Sequence, residues 1–184
     1  MADDHAAKAI SSYGGGLNDT PNIDRIAHEG VRFDHCYVTN SICTPSRAAI
    51  LTGTYNHVNC VKTLDTHMDN DLPHVAKHLQ TGGYETAIVG KWHLGEGKLH
   101  EPKGFNFWSV LPGQGEYFDP FMIEMGTERE EFGYVTDIIT SKCINWLNSR
   151  DESKPFFLMC HHKAPHREWE LSLIHISEPT RLDD

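Results

Sequence analysis

The sequence predicts an α/β fold in which a mainly parallel sheet is sandwiched by helices. Three observations carry this. A helical stretch followed by a short apolar, strand-like run occurs three times along the chain. Glycine or proline punctuates each change of pattern. The 184 residues, 39% hydrophobic and 23% charged, suffice for one domain with a packed core.

The first pair opens at Thr20-Pro21, a capping residue followed by proline at the first helical position. It continues on Ile23, Ile26 and Ala27 and closes at Gly30. Val31 to Val38 reads as the strand that follows. A second helix starts at Cys43-Thr44-Pro45-Ser46, runs through Arg47 to Leu51 and stops at Gly53. Leu72, Val75, Ala76 and Leu79 recur at helical spacing and Gly82-Gly83 end that element. Thr86 to Val89 then form a short buried strand broken by Gly90. Gly95 to about Phe132, rich in glycine, proline and aromatic residues, reads as one long irregular excursion. The last helix spans about Tyr134 to Asn148 on Val135, Ile138, Ile139 and Trp146. Phe156 to Cys160 follows Pro155 as the last strand.

A net charge of −10 argues against a nucleic-acid partner, which needs a basic face. An anionic substrate would need a locally basic pocket. No apolar run approaches the ~20 residues of a membrane span, and Met1 is followed by Ala-Asp-Asp-His, not by a signal segment. The five cysteines (36, 43, 60, 143 and 160) are odd in number and form no Cys-x-x-Cys pair. Neither a disulfide framework nor a structural zinc site is indicated. Leu171 to Arg181 reads as the in-frame translation of a transposase adapter from DNA sequencing. Residues 171–184 are therefore expected to be a non-native tail on a domain spanning 1–170.

Three short stretches carry chemistry. Cys43-Thr-Pro-Ser-Arg47, followed by Ala-Ala-Ile-Leu-Thr-Gly53, puts a thiol at a helix N-terminus, where backbone N–H groups lower a thiol pKa and hold an anion. On spacing alone a small buried cysteine before an ordinary helix reads equally well. Gly90-Lys91-Trp92-His93 closes a buried strand, so that Lys91 and His93 fall on one side and can face one anion, or simply face solvent. Asp3-Asp4-His5 offers adjacent hard oxygen ligands, although adjacent acids are commonly just hydrated.

The first stretch resembles the sulfatase signature Cys-x-Pro-Ser-Arg followed by Leu-Thr-Gly, and Gly83 to Gly95 resembles the second signature of that family. The resemblance covers residues 3 to about 170 and implies an alkaline-phosphatase-like fold, truncated here at both ends. It implies that a maturation enzyme oxidises Cys43 to formylglycine, whose hydrate attacks the sulfur of a sulfate ester. Arg47 would then hold that residue, Lys91 would bind sulfate, and His93 would orient or protonate near the nucleophile. Asp3 and Asp4, together with the residue made from Cys43, would help hold one Ca²⁺, with its remaining ligands missing from this chain. Pro155 to His166 is similar to the later segment that supplies a histidine for the leaving oxygen. His166 is that candidate general acid, while Lys163, His161 and His162 are weaker ones.

The segment from Tyr134 to Trp169 looks most like bacterial sulfatases acting on 6-O-sulfated N-acetylglucosamine in glycans. The implied partners are thus a sulfated small molecule or glycan and the maturation enzyme. The implied compartment is periplasmic, secreted or lysosomal, with an export signal upstream of Met1. A chain lacking the remaining ligands is expected to bind calcium poorly, fold marginally and turn over little substrate. The competing readings are a phosphatase or phosphonate monoester hydrolase of the same superfamily and a non-catalytic fragment. A zinc-binding module is a more distant one.

Overall fold

The computed structural model describes residues 1–170. The expected adapter tail, 171–184, lies outside the described residues. Two compact units emerge: Asp4–Val38, and Met1–Asp3 together with the chain from Thr39 onward.

In the Asp4–Val38 unit the expected helix forms as α1, Pro21–Glu29, with proline in its first turn. Thr20 does not cap it through its side chain. Its hydroxyl instead donates to Asp24 Oδ1 at 2.9 Å, and Ser11 Oγ donates to the other Asp24 oxygen at 2.5 Å. One carboxylate thus ties α1 to the short 3-10 turn Ser11–Tyr13. The strand expected over Val31 to Val38 does not form. Val31, Phe33, Tyr37 and Val38 are exposed there, and an apolar run without a partner strand has no ladder to join.

The larger unit is built on a five-stranded sheet. Its strands are β1 Glu85–Lys91, β2 Phe107–Leu111, β3 Phe121–Glu124, β4 Thr127–Glu130 and β5 Phe156–His161, in the order β4-β3-β2-β1-β5. β1 pairs in parallel with β5, as a mainly parallel sheet requires, and also with β2. The stretch expected to be irregular supplies the other half of the sheet. β2 extends it in parallel, and β3 and β4 close it as an antiparallel hairpin turning at Met125-Gly126. Its alternation was hard to see because β3 and β4 are four residues each and β4 is exposed throughout. The sheet is therefore mixed.

β1 is central and buried from Thr86 to Lys91. Successive residues serve opposite faces. Ile88 packs with Trp108, Met159, Ala48 and Leu51 on the face of α2 (Cys43–Thr52) and α4 (Val75–Thr81). Val89 packs with Leu111, Val135 and Ile139 on the face of α5 (Val135–Ser149). Helices on both faces give the expected three-layer arrangement. A one-turn helix, α3 (Asn56–Asn59), follows α2, whose C-terminus is capped by Gly53 in the left-handed conformation.

Gly90 does not break β1, contrary to expectation. It carries the strand through at φ +103°, where an added Cβ would lie 2.0 Å from the His161 carbonyl oxygen. Only glycine admits so close an approach of β5. Beyond β5 the chain start adds a further row. Met1 N donates to Cys160 O at 2.6 Å, His162 N to Met1 O at 2.9 Å and Asp3 N to Ala164 O at 3.2 Å. The first two bonds are those of a parallel pairing of Met1 with His161; the third skips on to Ala164 and carries Asp3 to the end of the sheet where β1 and β5 finish.

Candidate active site

At that end of the sheet three segments converge: the row Met1–Asp3, the N-terminus of α2, and the loop after β5. Asp3, Cys43 and His166 each direct one ligand atom to within 4.8 Å of the others. Asp3 and His166 are buried and Cys43 is half-buried. Cys43 is the first residue of α2, and no side chain caps that end. The first-turn N–H groups and the helix dipole therefore favour negative charge at this position.

Two cations flank the cluster. Lys91, at the end of β1, has no exposed surface; its ammonium donates to Asp3 Oδ2 and, at 2.5 Å, to Gln114 Oε1. Arg47, one turn into α2 from Cys43 and 4% exposed, brings Nη2 to 3.5 Å from Asp3 Oδ2. Burial alone would raise the Asp3 carboxyl pKa. The Lys91 hydrogen bond and the Arg47 charge outweigh burial and hold it below the usual carboxylate range.

Arg47 Nη1 also donates to the Lys91 carbonyl at 2.5 Å and contacts His161 Nδ1 at 3.2 Å. The same Nδ1 lies 3.2 Å from the Lys91 carbonyl, so it accepts from the guanidinium in one tautomer and donates to that carbonyl in the other. Burial, reinforced by Arg47, lowers its pKa to about 3. His161 is therefore neutral at pH 7 and packs against the arginine. His162 has Nε2 3.5 Å from the Cys160 sulfur.

His93 sits in a left-handed backbone conformation, φ +57°, uncommon for a non-glycine residue. Its Nδ1 lies 3.5 Å from the Thr44 hydroxyl, beside Cys43. Burial first, then the charges of Lys91 and Arg47, lowers its pKa to about 4, so it is neutral at pH 7. Asp4 is exposed, belongs to the Asp4–Val38 unit and is not among the three convergent donors.

The loop from Leu111 to Phe118 supplies residues that the sequence did not single out. Gln114 accepts from Lys91 through its side chain and from Lys163 Nζ through its carbonyl, at 3.3 Å. Tyr117 donates its hydroxyl to the His166 carbonyl at 2.5 Å, and its ring lies 4.9 Å from Lys163 Nζ. Burial, then repulsion by Lys91, lowers the Lys163 pKa. No spacing rule marks these residues, because they meet the site only through the β1–β2 pairing. Gln114, Tyr117, Lys163 and His166 line a cavity of about 620 Å³. On the other side Gln114 and His93 line a second one of about 300 Å³.

The donors do not by themselves fit calcium. That ion takes six to eight oxygen ligands, and the three convergent atoms include a single carboxylate oxygen beside a sulfur and an imidazole nitrogen. Replacing the thiol of Cys43 by a hydrated aldehyde would add oxygen donors but still leave the shell incomplete.

The chain is similar to known sulfatases over almost all of its length. It is 51% identical over 172 residues to N-acetylglucosamine-6-O-sulfatase of Bacteroides thetaiotaomicron, covering 92% of this chain and 30% of that protein. It is 29% identical over 203 residues to human N-acetylgalactosamine-6-sulfatase, covering 90% of this chain and 38% of that protein. Among solved structures it superposes on BT4656 in complex with its substrate D-glucosamine-2-N,6-O-disulfate, with a TM-score of 0.88 at 51% identity, covering 92% of this chain and 34% of that one. It superposes on Ps i-CgsB in complex with k-i-k-neocarrahexaose with a TM-score of 0.86 at 27% identity, covering 91% of this chain and 44% of that one. The chain thus spans about a third of the length of the curated relatives it matches. The family model described as Sulfatase matches residues 1–173, and this chain belongs to the sulfatase family.

Proposed function

We propose that the protein hydrolyses sulfate esters on carbohydrate, with 6-O-sulfated glucosamine-type sugars as the favoured class. The observation that carries this reading is the convergence of Asp3, Cys43 and His166 between two buried cations, Lys91 and Arg47. The substrate class rests on the likeness to the N-acetylglucosamine-6-O-sulfatase and to the disulfated glucosamine complex.

Formylglycine, made from Cys43 by a maturation enzyme, would supply the nucleophilic oxygen. The N-terminus of α2 and the Arg47 guanidinium stabilise negative charge at that position. Lys91, fixed between Asp3 and Gln114, opposes the charge of the sulfate as a point cation. His93 is neutral at pH 7 and so is suited to accept a proton near residue 43 rather than to give one. His166, on the wall of the larger cavity, would protonate the departing sugar oxygen, and Tyr117 holds its backbone. The compartment expected of the family is periplasmic, secreted or lysosomal. No described helix is long and apolar enough to cross a membrane.

The test is turnover of an aryl sulfate and the matching aryl phosphate by the matured protein and by Cys43→Ala. The expected result is sulfate turnover that falls by at least about 10³-fold in the variant. Faster hydrolysis of the phosphate, or full activity in Cys43→Ala, would replace this reading with the phosphatase one.

A further inference from the structure

We propose that while Cys43 carries its thiol, Asp3, Cys43 and His166 form a zinc site. The three bring a carboxylate oxygen, a sulfur and an imidazole nitrogen to within 4.8 Å of one another. Zinc favours such a mixed set, with three protein ligands and a fourth position left for a small ligand. Bonds of about 2.0–2.3 Å place tetrahedral donors roughly 3.3–3.8 Å apart, so closure by about 1 Å completes the site. Calcium lacks the oxygens it needs here, and sulfur is a poor ligand for it.

Zinc binds Cys43 as the thiolate. Cys43 is the first residue of α2, and Arg47 lies one turn further along. Zinc replaces the thiol proton, which leaves to the buffer, and a Zn–S bond forms without any change of oxidation state. Lys91 and Arg47 face the same carboxylate and oppose a cation. The carboxylate and thiolate charges balance those two, and a sulfate dianion in the fourth position offsets the zinc. The ligands come from an edge row, a helix start and a loop, so no Cys-x-x-Cys spacing announces them in the sequence. Converting Cys43 to formylglycine would remove the sulfur and turn the set toward hard cations. Maturation therefore selects the metal.

The test is titration of the 184-residue chain, produced without a maturation enzyme, with cobalt(II) chloride. One equivalent is expected to give a thiolate-to-cobalt charge-transfer band and the visible bands of tetrahedral cobalt. Zinc chloride should abolish them, and millimolar calcium chloride should not. Cys43→Ser should lose the charge-transfer band, and His166→Ala should bind cobalt at least tenfold more weakly. If Cys43→Ser loses its native circular dichroism, the affinity of His166→Ala decides. A charge-transfer band that survives in a folded Cys43→Ser, unchanged affinity in His166→Ala, or displacement of cobalt by calcium overturns the proposal. The site stands on its three donors alone; only the effect of maturation rests on the sulfatase reading. Faster hydrolysis of the aryl phosphate than of the aryl sulfate would refute that reading and leave the cobalt result intact.

Discussion

The ammonium of Lys91 donates to Oδ2 of Asp3, and neither side chain has appreciable contact with solvent. Such a pair is costly to break from one side only, because the remaining charge stays buried. Lys91→Met should destabilise the fold by about 3 kcal/mol, because Arg47 still faces Asp3. Asp3→Leu should cost more, because it leaves both buried cations without their carboxylate. Urea unfolding of the two variants at pH 7 checks this, and a smaller loss in Asp3→Leu contradicts it.

Two buried histidines make stability depend on pH. His161 has a pKa near 3 through burial and Arg47, and His74 a pKa near 4 through burial and Lys77. Both lie below the unfolded value near 6.5, so between these limits the unfolded chain binds more protons. Their stabilising contribution is complete above about pH 6.5. It falls by about 1.4 kcal/mol per pH unit for each histidine as pH drops toward 4. His74 stacks on Phe105, and its ring nitrogens have no hydrogen-bond partner among the described residues. His74→Phe should therefore keep its stability at pH 7 and show a flatter decline to pH 5. A decline as steep as in the parent protein excludes this assignment.

Gly90 and Gly53 both have positive φ, yet they should respond differently to alanine. At Gly53 nothing lies within 4 Å of the added methyl, so the cost is the left-handed backbone alone, about 1 kcal/mol. At Gly90 the methyl meets the His161 carbonyl, and β1 must part from β5. Gly90→Ala should cost about 3 kcal/mol or more, and thermal unfolding of the two variants ranks them.

Gln114 holds Lys91 by its side chain and Lys163 by its backbone, on the wall shared by two cavities. Gln114→Ala should weaken binding of inorganic sulfate by about tenfold, the loss of one hydrogen bond to a charged group. It should leave the unfolding midpoint nearly unchanged, because Gln114 is exposed on a loop. Calorimetric titration with sodium sulfate measures the first and urea unfolding the second.

Residues whose role follows from neighbours in the chain were legible in the sequence. The start of α2 at Cys43, its Gly53 cap, the buried β1 ending at Lys91, and α5 on Val135 and Ile139 all show in local pattern. What escaped depends on pairing across the chain. β2 is defined by its register with β1, and β3 and β4 are too short for alternation to show. The run from Val31 to Val38 has strand-like composition but gains no partner, so composition misleads there. Gln114 and Tyr117 belong to no signature and reach the site because β2 ends beside β1. His161, beside a candidate proton donor in sequence, is instead fixed by the arginine across the sheet end.

Three main-chain hydrogen bonds between Met1–Asp3 and the strand beside it decide which side chain meets Lys91 and Arg47. Register is thereby a chemical variable. A slip by one residue would bring Ala2 to the level of Asp3 and carry the carboxylate away from the two cations. The two cations would then confront each other with no anion between them, and their repulsion penalises every misaligned pairing. The same charges that flank Asp3 thus proofread the assembly of the sheet edge.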